Sequence, residues 1–284
     1  MNRVAKGTTT VMVLLALSAC GGQSGGDGPE AGAARTPTAS ADASAAAPPA
    51  TEVAAEAALH DISEKTPGYV VGISYPPGVN KYPVLARELG AYAEQLRAEL
   101  LKAVDGHGND QPRVPCELSL AFDLLTETPR VVTVAARGSS YTGGAHGQPL
   151  VARFVWLPQQ ERMLTADALL DSPAGWKVVS DHVREKLLEQ SLLRADADDM
   201  TPEQQQAQVR ELSQMIDAGT SPEPENFSEL EPVLDAGNHV IAMRFVFQPY
   251  QVGPYSDGIR TVDVPAAVLL PYVAADYREL FAQP

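Results

Sequence analysis

Between positions 21 and 58 the chain is built of Gly, Ser, Ala, Pro and Thr with one large apolar side chain, Val53. Such a segment buries too little apolar surface to offset the entropy lost on ordering it. Any folded body is therefore confined to about 59–284, a length sufficient for a sizeable core. The 20–58 stretch reads as a disordered tether. A coil of about 38 residues has a root-mean-square span of roughly 35 Å.

The tether follows a short leader. Arg3 and Lys6 precede the apolar run 11–17, which is less than half of the roughly 20 residues a membrane-spanning helix needs. Residues 1–19 thus have the pattern of a secretory signal peptide. Leu17-Ser18-Ala19-Cys20 resembles the lipobox of bacterial lipoproteins. That resemblance implies diacylglycerol and N-acyl (palmitate-type) lipid on Cys20, with no other cofactor. Each buried CH₂ of such chains contributes about 0.8 kcal/mol. Gly21 after the cysteine points by the same resemblance to the periplasmic face of the outer membrane. An ordinary signal peptide with a chance cysteine is the alternative.

Charge narrows the partners. The 36 acidic and 21 basic side chains give a formal net charge of −15. Loss of Arg3 and Lys6 with the leader leaves 19 basic residues, hence 19 − 36 = −17. Phosphate binding needs clustered Lys and Arg, so nucleic acid is an unsuitable partner and a cationic one is suitable. Two cysteines in 284 residues exclude a disulfide-dense scaffold. With Cys20 lipidated, Cys116 is the remaining thiol and is expected to be buried and inert.

Hydropathy patterning then lays out the body. Strands are expected at 69–75, 118–125, 130–136, 151–157, 227–234, 239–247 and 260–264. The spacing of Leu85, Leu89, Tyr92, Leu96 and Leu100 predicts a helix over 84–104. Trp176, Val179, Val183 and Leu187 predict another to about residue 194. Thr165 is placed to cap a short helix. Thr201-Pro202-Glu203-Gln204 reads as a capping box with proline at the first helical position, opening a helix that stops at Gly219. A last helical stretch is expected over 265–281. The fold class is α+β, a mostly antiparallel sheet with helices packed on one side. We divide the body into an N-terminal part, 59–115, and a C-terminal domain, 116–284. Whether the first is a lobe of its own stays open.

Two segments stand out from this regular pattern. Tyr141-Thr142-Gly143-Gly144-Ala145-His146-Gly147 joins two strands, and Phe247-Gln248-Pro249-Tyr250-Gln251-Val252-Gly253-Pro254-Tyr255 precedes the last one. The order YTGGAHG, ARFVWL, LTADALL and then QPYQVGPY resembles the extracytoplasmic domain shared by the anti-sigma factor RsiV and the peptidoglycan deacetylase PdaC. The resemblance covers about 61–284 and is firmest from 117 onward. A membrane-spanning segment for signalling and a separate deacetylase domain are both missing here. What the resemblance implies is the shared module alone, a non-enzymatic binding domain facing the cell wall, with a lysozyme-like protein or peptidoglycan as ligand.

The candidate ligand-binding residues are Tyr141, Gly143, Gly144, His146, Tyr250 and Tyr255. For His146 the competing reading is structural, a side chain that bonds neighbouring carbonyls and fixes a tight turn. The alternative function is a cell-wall glycan hydrolase using His146 with nearby carboxylates as acid and base. Within 59–284 no GxSxG, P-loop, GxGxxG or HExxH motif occurs, and no residues have metal-ligand spacing.

Overall fold

The computed structural model of the chain describes residues 58–106, 114–197 and 200–282, all within one compact unit, Glu52–Pro284. Cys20, the leader and nearly all of the tether lie outside the described residues. Strand β1 (Ile62–Lys65) turns through Thr66, whose hydroxyl accepts the Tyr69 N–H at 3.0 Å, into β2 (Tyr69–Ser74). Helix α1 (Pro83–Gly106) then carries the chain across to β3 (Cys116–Glu127), which lies parallel to β2 with Tyr69 opposite Cys116. A helical crossover is what a parallel neighbour requires. Strands β4 (Val132–Tyr141), β5 (Gln148–Leu157) and β6 (Arg162–Met163) complete a six-stranded sheet as an antiparallel meander.

One turn out of register would have broken α1's fit to this sheet. Its Leu85, Leu89, Ala93 and Leu100 share one face and are buried against Val71, Ile73, Leu118, Leu120 and Phe122. The opposite face of β1–β3 presents Ser63, Gly72, Ser74, Glu117 and Ser119 to solvent, the alternation expected of a sheet packed on one side only. Because β2 pairs with β3 and both feed one core, the 59–115 region is part of the same sheet.

A second core follows. Short α2 (Ala166–Leu169) leads to α3 (Pro173–Ala197) and α4 (Pro202–Gly219). Strands β7 (Leu230–Leu234), β8 (Val240–Phe247) and β9 (Arg260–Pro265) form an antiparallel three-stranded sheet. Trp176, Val179, Val183 and Leu187 of α3 pack on Phe245, Phe247, Val262 and Val264. Phe227 fills the centre, stacked on Trp176 with ring centroids 5.4 Å apart and edge-on to Phe245 at 5.3 Å.

Strand β5 serves both cores. Leu150, Ala152, Phe154 and Trp156 point into the first, and Val155 and Leu157 into the second, which is the period-two alternation of a strand with both faces covered. That is why ARFVWL carries an apolar residue at nearly every position. Arg153, on the second face, makes the ionic seam between the sheets. Its Nε meets Glu231 Oε2 at 2.6 Å, and Glu231 Oε1 meets Arg244 Nη1 at 3.4 Å. Arg244 in turn holds Asp263 at 2.6 and 2.9 Å.

Three expectations need correction, and one strand was not expected at all. The 265–281 stretch is not one helix. It breaks into α5 (Ala266–Leu269) and a 3₁₀ turn (Ala275–Leu280), because Pro271 lacks an N–H to donate. Phe227 closes a 3₁₀ turn (Pro224–Phe227), and β7 begins at Leu230. Thr165 occupies the N-cap position of α2, yet its side chain makes no cap hydrogen bond. The four-residue β1 went unread, being too short for alternation to register. The capping box at α4 is present in full, with both Thr201 and Gln204 bonding back to the backbone.

Glu229 supplies a pH test of the seam. Its Oε2 accepts the Arg153 backbone N–H at 2.5 Å. Burial pushes its carboxyl above the ordinary 4.5, only partly opposed by that bond and by the Arg153 charge. A group held more tightly protonated in the fold stabilises it at low pH, and loses that contribution as pH rises through its folded value. The Glu229→Gln variant, which keeps an acceptor for Arg153, is expected to gain stability over the parent as pH rises from about 4.5 to neutral. Urea midpoints measured across that range check this; a gap that narrows with pH contradicts it.

Candidate functional site

The ends of two hairpins meet at the residues the sequence marked as unusual. One is the β4–β5 loop, where Gly143 and Gly144 take φ of 118° and 100°, conformations that L side chains rarely adopt. These glycines let the chain reverse while Ala145 and His146 project outward. The Tyr141 hydroxyl donates to the Gly144 carbonyl at 3.3 Å and so closes the loop on itself. The other is the β8–β9 connection, 248–259, whose Tyr250 has a left-handed φ of 74°. A non-glycine residue held there stores strain, a pattern that concentrates at functional sites.

His146, Tyr250 and Tyr255 form an exposed cluster of rings. His146 stacks on Tyr255 with centroids 4.5 Å apart and planes 24° from parallel. Tyr250 lies 6.3 Å from the His146 ring and 5.6 Å from Tyr255. The Tyr250 hydroxyl and His146 Nε2 are hydrogen-bonded at 3.2 Å, while His146 Nδ1 lies 3.1 Å from the Gly147 carbonyl. Yet Tyr250 and Tyr255 remain 54% and 42% exposed. Large rings ordered by one another and left open to solvent are what a binding surface uses, because little side-chain entropy remains to be lost.

The platform is anchored from below. Gln251 Nε2 donates to the carbonyls of Gly219, the last residue of α4, at 3.1 Å and of Asn226 at 2.9 Å. Asp257 holds Arg260 at 3.1 Å and Arg194 at 3.3 Å. Arg260 is 4% exposed and also reaches Gln190 Oε1 at 3.0 Å. Burial and the neighbouring Arg194 lower its proton affinity, and Asp257 offsets part of this. The loop bearing both tyrosines is therefore fixed to α3, α4 and the second core.

Two clefts flank the rings. One, of about 480 Å³, is lined by His146, Gln148, Pro149, Gln248, Pro249, Tyr250 and Gln251. The second, of about 410 Å³, lies towards α1, with Glu99, Leu96, Ser140, Thr142 and Gly143 among its walls and His146 and Gln148 shared with the first. Neither has a Lys or Arg in its lining. No hydrogen bond or ion pair links His146 to an Asp or Glu among the described residues. There is also no group of His, Cys, Asp and Glu among them able to hold a metal ion, and no helix long and apolar enough to cross a membrane.

Of the six predicted site residues, the structure thus brings together His146, Tyr250 and Tyr255, and places Gly143 in the wall of the second cleft. Tyr141 and Gly144 are joined to each other and shape the loop. Sequence reading missed Gln148, Gln248 and Glu99. Gln-Pro at 148–149 and at 248–249 both line one cleft, but the same dipeptide also occurs at 111–112 and 283–284, so it gives no sequence signal of its own. Cys116 is buried, 1% exposed, at the start of β3.

The architecture is that of an α+β protein with two sheets sharing β5 as a wall, and a ligand-sized groove where two hairpins end. No protein-family model matches the sequence, and no curated protein matches it either. Among solved structures it is similar to a DUF3298 family protein from Pseudomonas aeruginosa PAO1, with 17% identity and a TM-score of 0.48, covering 79% of this chain and 96% of that one. It is also similar to a member of the same family from Bacteroides fragilis NCTC 9343, with 14% identity, a TM-score of 0.48, and 77% and 93% of the two chains covered.

Proposed function

We propose that this protein is a non-enzymatic binding module of the bacterial cell envelope, which receives a cell-wall ligand at the His146–Tyr250–Tyr255 cluster. The observation that carries the reading is the exposed, pre-ordered ring stack with a cleft on either side. Lipid on Cys20 and the 20–58 tether hold the module at the periplasmic face of the outer membrane. The resemblance to the RsiV and PdaC extracytoplasmic module agrees with a wall-facing role. Against the hydrolase alternative, both ring nitrogens of His146 are engaged by a carbonyl and a phenol, and among the described residues no carboxylate is bonded to them. General acid–base work on a glycosidic bond needs such a pair.

Murein is the ligand that the site itself favours, since a strand-like ligand lies along adjoining clefts. A lysozyme-like protein is the second reading, favoured by the −15 charge, which steers a cationic partner.

Titration of the Glu52–Pro284 unit, in which both cores are complete, with murein fragments and with a c-type lysozyme tests this at low and high salt. Saturable binding without product release supports the proposal. Tyr255→Ala is expected to weaken it about tenfold or more with the fold intact. Release of murein products, abolished by His146→Ala, would move the protein to the hydrolase class.

A further inference from the structure

We infer that the two clefts beside His146 form one track for an uncharged linear saccharide of N-acetylated amino sugars, an inference that rests on the binding-module reading above. The clefts meet at His146 and Gln148. Each has the volume of a small-ligand site, so a ligand filling both is longer than one ring.

Amides and hydroxyls make up most of the polar lining, with the His146 ring where the clefts meet and one carboxylate, Glu99, in the second. Exposed Gln148 and Gln248 line the first cleft, and Ser140, Thr142 and again Gln148 the second. Amides and hydroxyls both donate and accept, which matches sugar hydroxyls and acetamido groups. Gln251, tied through Nε2 to two carbonyls, fixes the floor.

Charge argues in the same direction. Without a Lys or Arg in either lining, a phosphate or carboxylate would be taken from water with no counter-charge, a costly transfer. The chain's own −15 adds to that cost. Apolar contact comes from Tyr250, which lines the first cleft and suits the C–H face of a pyranose, with exposed Tyr255 beside it, stacked on His146. Half-buried Leu96 and Leu150 of the second cleft suit an acetyl methyl.

The test is calorimetric titration of the Glu52–Pro284 unit with N-acetylglucosamine oligomers, from the disaccharide to the hexasaccharide. Affinity is expected to rise with length and then level off once both clefts are covered. Tyr255→Ala lowers affinity at every length, by about tenfold. Thr142→Arg, at an exposed position in the second cleft, lowers the affinity of the longer oligomers by a larger factor than that of the disaccharide. Affinity independent of length, or indifference to Thr142→Arg, overturns the shared track. If no oligomer binds while murein peptides or lysozyme bind in a Tyr255-dependent manner, the saccharide inference falls and the binding module stands. If nothing binds, both fall.

Discussion

Replacing Arg153 with alanine is expected to cost about 3 kcal/mol of stability, near the lower end of what breaking one side of a buried ion pair costs. Arg153 and Glu231 are 9% and 13% exposed at the side chain and meet at 2.6 Å. Truncation leaves Glu231 in poor solvent with only the longer Arg244 contact of 3.4 Å. The loss stays below the upper end of the range because that second arginine remains. It also removes the charge facing Glu229, whose carboxyl is already pushed up by burial. Urea unfolding at neutral pH reads the effect. A loss well under 1 kcal/mol, the range of exposed pairs, would mean that the two sheets are held by apolar packing alone.

Gly219→Ala is expected to damage stability and binding together. A Cβ at this position would lie 1.9 Å from the Gln251 carbonyl oxygen and 3.1 Å from Val252 Cγ1. The obstruction is backbone, so no rotamer change relieves it. Either the end of α4 or the 248–253 segment must move, at about 1–3 kcal/mol as for other overpacked sites. Movement of that segment carries Tyr250 away from His146. Ligand affinity should therefore fall in parallel with the unfolding midpoint. In Tyr255→Ala the two separate, with binding weakened and stability kept, because that ring is 42% exposed. Unchanged affinity in a destabilised Gly219→Ala protein would show that the rings act independently of the α4 anchor.

Much of the secondary structure was legible because local rules and tertiary context agreed. The leucine spacing of α1 and the capping box of α4 give the same answer in sequence and in space. Asp235 before Ala236-Gly237-Asn238 likewise forms the β7–β8 turn, its Oδ1 accepting from Gly237 and His239 at 2.8 Å. The failures sit where a tertiary partner decided. Phe227 has the composition of a strand residue, yet its ring is wanted at the centre of the second core, so the chain turns there before β7 begins.

For the site, the sequence could mark YTGGAHG and QPYQVGPY as out of pattern, because a histidine between glycines is unusual in an ordinary hairpin. It could not bring them together. His146 and Tyr250 are 104 positions apart, and no periodicity operates over that distance. Glu99 and the Gln148 side of the track were invisible for the same reason.

What the sequence by itself determined is where folding is possible, which segments are helix or strand, and the sign of the electric field around the molecule. These follow from composition, period and charge, which are properties of the chain read locally or summed. Only the tertiary structure decided that β5 is shared by two cores and that α1 delivers a parallel β2–β3 pair. It alone set the ends of two distant hairpins against each other, with His146 against two tyrosines. Packing made that choice, because Arg153 and the apolar residues on the second face of β5 find partners only when the three-stranded sheet lies against them.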